Sequence, residues 1–140
     1  MFFIKKYKSK KNKSPDIFVN RDKILKSKNP NLIYLLNKRF KWMEKYISGK
    51  KIIIELGSGN GCIKKILKNK NIILTDIVKY PWIKKKLDML KVNLDKKYIN
   101  SVDIFIINHS LHHCANPAAT LEKMSKYLKK NGLILINEPE

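Results

Sequence analysis

From Lys51 onward the chain alternates short apolar runs at 52–56, 72–74, 102–107 and 133–136, broken only by Glu55 and Asp103, with stretches whose apolar residues recur at helical spacing. A run that is apolar at nearly every position has no face for water, so it belongs inside a sheet covered on both sides. Helices between such runs supply the covers and the crossovers, which predicts an α/β fold with a mostly parallel, doubly wound sheet. One helix fits between the first two runs, with Ile63, Ile66 and Leu67 on its inner face. Another is expected over 117–130, with Leu121, Met124 and Leu128 inward and Asn131-Gly132 as its stop. Between Pro81 and Asn100 the pattern is less regular, and only a short strand near 87–90 is expected.

Ahead of the sheet, Asn29-Pro30 reads as an N-cap followed by a first-turn proline. Leu32, Leu36, Phe40, Met43 and Ile47 then form one amphipathic stripe that ends at Gly49. Residues 1–28 are Lys-rich and carry no sustained period, so they are expected to be a basic N-terminal arm, mobile or loosely docked, ahead of one domain at 29–140.

The most specific local feature is Glu55-Leu56-Gly57-Ser58-Gly59-Asn60-Gly61, where the first buried strand ends and a helix begins. Glycines at alternate positions allow a tight turn and leave the main chain open to a ligand. A dinucleotide loop would need GxGxxG, and Cys62 stands where its third glycine belongs, so NAD is disfavoured. The next strand ends in Thr75-Asp76, nineteen residues after Gly57. In a doubly wound sheet that places the Asp76 carboxylate beside the loop, with two acceptor oxygens for two ribose hydroxyls.

An acid ahead of a GxGxG loop resembles motif I of the class I S-adenosylmethionine-dependent methyltransferases. The segment from Val102-Asp103-Ile104 to Asn108-His109-Ser110-Leu111-His112-His113 looks like the fourth strand of the type 11 group with its LHH continuation. Leu121 to Leu128, Asn131-Gly132 and Leu133 to Glu138-Pro139 are similar to that group's helix, turn and fifth strand, so the resemblance covers roughly 50–140. Two departures are Asn131, where the group has the start of a proline-glycine turn, and Val92-Asn93-Leu94, where it often has Leu-Pro-Phe. The resemblance implies a Rossmann-like sheet in the order 3-2-1-4-5, with the family's last two strands missing. It implies S-adenosyl-L-methionine as cofactor, bound by Glu55, Gly57, Ser58, Gly59, Gly61, Asp76, Ile77, Asp88, Met89 and Asn108. Within that set, Asp88 would bond the adenine amino group and Met89 would lie at the ring edge.

Methyl transfer from a sulfonium is an in-line displacement with a good leaving group already in place, so alignment and water exclusion matter more than acid–base machinery. His109 and His112 are the candidate bases, since their loop follows the fourth strand and faces the cleft. A metal site built from His109, His112, His113 and Cys114 is disfavoured, because neighbouring residues cannot easily converge on one ion. Asn108-His109-Ser110-Leu111 departs from the Asn/Asp-Pro-Pro-aromatic loop of exocyclic-amine methylation, and Cys114 lacks the preceding proline of a cytosine C5 nucleophile. The expected acceptor is therefore a small molecule, with a degenerate cofactor-binding fragment as the alternative and RNA as a third reading.

The formal charge of +20 bears on that third reading. Residues 1–51 hold 16 Lys+Arg against 3 Asp+Glu, so the excess is concentrated at the front. Only Arg21 and Arg39 are arginines, and the scarcity of the residue favoured for phosphate and base recognition weakens a nucleic-acid role. No apolar run approaches the length of a membrane span, no secretory signal opens the chain, and two separated cysteines indicate no disulfide framework, so a cytoplasmic protein is expected. An apolar fifth strand at a sheet edge would invite pairing with a second copy or a partner chain.

Overall fold

A computed structural model of the chain describes residues 15–139. Five strands form one sheet: β1 (Ile53–Leu56), β2 (Ile72–Asp76), β3 (Lys85–Lys86), β4 (Val102–Asn108) and β5 (Leu128–Asn137). Their order is β3-β2-β1-β4-β5, and every neighbouring pair is parallel. The apolar runs take the central positions because burial on both faces rewards them there: all four residues of β1 and six of the seven in β4 are buried. Register sets Glu55 between Leu74 of β2 and Ile106 of β4, so this acid is enclosed by the two strands flanking its own.

Helices cover both faces. On one side α1 (Pro15–Lys26), α2 (Pro30–Phe40), α3 (Glu44–Ile47) and α4 (Ile63–Ile66) meet Ile53, Ile72, Leu74, Ile104 and Ile106. On the other, α5 (Pro117–Ser125) sets Met124 against Ile54, Leu56, Phe105 and Ile107. The Asn29 cap forms as its residue type predicts, its side-chain oxygen accepting the N–H groups of Asn31 (2.9 Å) and Leu32 (3.3 Å). The buried Asp103 of β4 is satisfied by the N–H groups of Lys51 (3.0 Å) and Ile52 (2.9 Å) and by the Lys129 ammonium.

Four expectations are corrected. Residues 15–26 of the basic arm form α1, while 1–14 lie outside the described residues. This helix has little apolar period because polar contacts hold it: the Lys65 ammonium donates to the carbonyls of Leu25 and Ser27 (both 2.8 Å), and Arg21 reaches the glycine loop. The stripe from Leu32 to Ile47 is interrupted by a 3-10 turn at Lys41–Met43 rather than running as one helix. The helix expected over 117–130 ends at Ser125, because the N–H groups of Ser101 (3.0 Å) and Val102 (2.9 Å) both take the Tyr127 carbonyl and start β5 at Leu128. Asn131, at φ 66°, then lies at a register irregularity within β5 instead of closing a helix. The third strand is the pair Lys85–Lys86, just ahead of the 87–90 position. Among the described residues no helix is long and apolar enough to cross a membrane.

Candidate cofactor cleft

At the carboxyl ends of the parallel strands lies a cleft of about 410 Å³. Gly57, Gly59, Asp76, Ile77, Asp88 and Met89 line it, together with Leu87, Leu90, His109, Ser110, His113 and Cys114. The glycine spacing has two separate physical reasons. Gly57 and Gly59 both sit at positive φ, 66° and 50°, where side-chain-bearing residues are strained. A Cβ on Gly57 would also lie 2.7 Å from the Ser110 Cβ, whereas a Cβ on Gly59 meets nothing within 4 Å and would project into open space. Gly57 is thus required by the protein's own packing, and Gly59 keeps a ligand volume free.

Asp76 closes the loop onto β2. Its Oδ2 accepts the Gly59 N–H (2.8 Å) and its Oδ1 the Val78 N–H (3.0 Å), which fixes the carboxylate at the cleft wall while each oxygen keeps a further lone pair. Asp88 is held in a turn by the Leu90 N–H, donated to its Oδ1 at 2.8 Å, with Met89 beside it reaching toward Gly57. From outside, the Trp82 indole N–H donates to the Gly59 carbonyl (2.8 Å), and the Arg21 guanidinium lies 4.5 Å from that ring while donating to the Asn60 carbonyl.

Four of the residues assigned from sequence are not on the cleft wall. The Ser58 hydroxyl is buried, accepting the Thr75 N–H (3.2 Å) and donating to the Glu55 carbonyl (3.3 Å), so it staples β1 to β2. Gly61, at φ 65°, faces the Arg21, Leu74 and Trp82 side chains behind the loop. Asn108 accepts the Asn137 side-chain N–H (2.9 Å) across β4 and β5. Glu55 lies beneath the loop, 3% exposed, and its Oε2 has no hydrogen-bond partner. Burial pushes its carboxyl up to about 7, against the lowering influence of Ser58, Lys64 and Arg39.

The loop after β4 is organised by a residue the sequence reading treated only as the end of β5. Glu138 Oε1 accepts the N–H groups of Ser110 (2.8 Å) and Leu111 (2.7 Å), and its Oε2 pairs with His112 Nδ1 at 2.6 Å. Burial opposes its ionisation, yet His112 and the two N–H groups hold its pKa below the ordinary carboxylate range. Of the two candidate bases, His109 lines the cleft and His112 does not, its ring lying 4.1 Å from that of His113, which does. His109 occupies φ 51°, held there by its N–H donated to the Asn137 carbonyl (2.8 Å), and burial together with Arg39 lowers its pKa. Ser110 was also missed: its hydroxyl donates to the Leu56 carbonyl (3.1 Å) and its Cβ packs against Gly57, a contact across 53 positions that no local motif encodes. Among the described residues no group of His, Cys, Asp and Glu could hold a metal ion.

With this geometry in place, comparison with known proteins is decisive for the family: a model of the methyltransferase domain, type 11 group, matches residues 54–136. The chain belongs to this methyltransferase family. No curated protein matches the sequence significantly. Among solved structures, the methyltransferase domain of the citrinin polyketide synthase superposes with a TM-score of 0.52 at 16% identity, over 76% of this chain and 39% of that one. A S-adenosylmethionine-dependent methyltransferase from Aquifex aeolicus gives 0.48 at 20% identity, over 78% of this chain and 67% of that one. The trans-methyltransferase CalH, solved with S-adenosylhomocysteine, gives 0.48 at 18% identity, over 86% and 44%. The chain thus spans about two fifths of the length of the polyketide synthase domain, and the likeness at this identity is one of fold. The matched segment runs from β1 into β5 and includes all twelve residues that line the cleft.

Proposed function

We propose that the cleft binds S-adenosyl-L-methionine and that the chain transfers its methyl group to a small-molecule acceptor. The observation that carries this reading is the convergence of Gly59, Asp76 and Asp88 on one open cleft at the carboxyl ends of the strands. Asp76 would accept the two ribose hydroxyls, Asp88 with Met89 and Ile77 would border the adenine, and Glu55 would serve the cofactor from beneath the loop, at the base of the glycine turn. Ser58, Gly61 and Asn108 then serve by holding the loop and the strand ends in shape.

The cofactor supplies an activated methyl carbon; the protein supplies alignment and a proton acceptor. On transfer that carbon would bond to the acceptor, and the electron pair of its bond to sulfur would stay on sulfur. The acceptor's proton would pass to a ring nitrogen of His109, whose pKa is lowered by burial and by Arg39. His112, braced by Glu138, shapes this wall from behind. Cys62 and Cys114 are free thiols, in keeping with a cytoplasmic setting, and the exposed Leu133 and Ile136 of the outer strand β5 suit a second copy or partner chain.

Calorimetric titration with S-adenosylhomocysteine tests the site: micromolar binding that Asp76→Ala abolishes is expected, and no binding by the folded wild type would remove the reading. Transfer of a labelled methyl group to pooled metabolites then separates an enzyme from a cofactor-binding fragment.

A further inference from the structure

A second groove of about 450 Å³ adjoins the cleft, between α2 and the ends of β4 and β5. It is lined by Leu32, Leu35 and Leu36, by the cations Lys38 and Arg39 and by Asn137, and His109 lines both this groove and the cofactor cleft. No aspartate or glutamate lines it. Leu35 is 61% exposed, a large apolar surface left open beside a site where a reaction would take place.

Arg39 is the unusual member. Its Nε is buried and has no hydrogen-bond partner among the described residues, a situation that costs free energy unless a ligand completes it. Arg39 acts electrostatically on Glu55, whose carboxyl burial pushes up to about 7, so that acid is only partly ionised near neutral pH. A planar guanidinium is suited to a carboxylate, which can take two parallel N–H donors. The leucines and the cation share one groove that His109 also lines.

We propose that this groove is the acceptor site and that it takes a small carboxylic acid, its apolar body on Leu32, Leu35 and Leu36 and its carboxylate on Arg39. The proposal rests on the reading of the neighbouring cleft as the cofactor site. Lys38 also lines the groove, its ammonium 5.5 Å from the Tyr34 ring, and adds a second positive charge that favours an anion. His109 then stands between the two ligands, as a residue that lines both cavities.

The test is calorimetry on the full chain saturated with S-adenosylhomocysteine, with octanoate and octan-1-ol as probes. Octanoate is expected to bind at least tenfold more tightly than the alcohol. Arg39→Gln should bring the two to equal affinity while changing the S-adenosylhomocysteine Kd by less than twofold, and Leu35→Glu, at an exposed position, should abolish octanoate binding. Equal affinity of acid and alcohol for the wild type would overturn the proposal. So would a tenfold loss of S-adenosylhomocysteine affinity in Arg39→Gln, which would assign the arginine to the cofactor's own carboxylate. Failure of the cofactor reading is separable: S-adenosylhomocysteine would not bind, yet octanoate would still show its dependence on Arg39 in the unliganded protein.

Discussion

Replacing Glu55 by Gln should stabilise the unliganded protein at neutral and alkaline pH, because the native carboxyl is buried with one oxygen unpartnered. Its pKa rises from 4.5 to about 7 on folding. Below 4.5 both folded and unfolded chains carry the proton, and the acid costs nothing. Between 4.5 and 7 the unfolded chain ionises while the folded chain holds its proton, so unfolding releases a proton and stability falls as pH rises. Above 7 the loss levels off. At about 1.4 kcal/mol for each pH unit the difference amounts to about 3 kcal/mol, an upper value because the unfolded chain retains some structure. Urea denaturation of wild type and Glu55→Gln at pH 5 and pH 8 isolates this carboxyl, since the opposite dependences of Asp103 and Glu138 cancel between the two proteins. The stability gap in favour of the variant should widen by about 2 to 3 kcal/mol from pH 5 to pH 8. Parallel stability curves for the two proteins would refute the argument, and would mean that Arg39 fully neutralises Glu55.

Gly59→Ala should cost about 1 to 2 kcal/mol of backbone strain yet lower S-adenosylhomocysteine affinity at least tenfold, whereas Gly57→Ala adds overpacking against Ser110 and should cost about 3 kcal/mol or more. Denaturation midpoints and ligand titration together check the contrast, and equal stability losses would contradict it. Glu138 has a lowered pKa, so its contribution to stability is present above the ordinary carboxylate range and fades as pH falls; the stability gap between wild type and Glu138→Gln should close on acidification, and a gap independent of pH would count against the Ser110, Leu111 and His112 contacts. Arg21→Ala should speed amide hydrogen exchange in Asp22 to Lys26 at least tenfold and leave β4 protected, because the guanidinium's contacts with Asn60 and Trp82 tie α1 to the loop. Unchanged exchange in α1 would show that the Lys65 contacts alone hold it.

The central strands were legible in the sequence because a residue run buried on both faces is apolar at nearly every position, and β1 and β4, with Glu55 and Asp103 as their buried acids, are such runs. The glycine loop and Asp76 were legible for a related reason: backbone at positive φ and an acid ending the neighbouring strand are local chemical requirements written in residue types. Tertiary contacts decided the rest. α1 forms on polar anchors, Arg21 and Lys65, that leave no hydrophobic period to detect. Leu128 keeps helical spacing with Leu121 and Met124, yet the start of β4 captures Tyr127 and draws the following residues into the sheet. The inward turn of Ser58, the reach of Glu138 back to the loop after β4, and the placing of Arg39 beside His109 each join residues 17 or more positions apart. Periodicity and motifs report what one segment needs from its own backbone and from water. Which side chains converge across segments is settled only when the sheet brings the strand ends side by side.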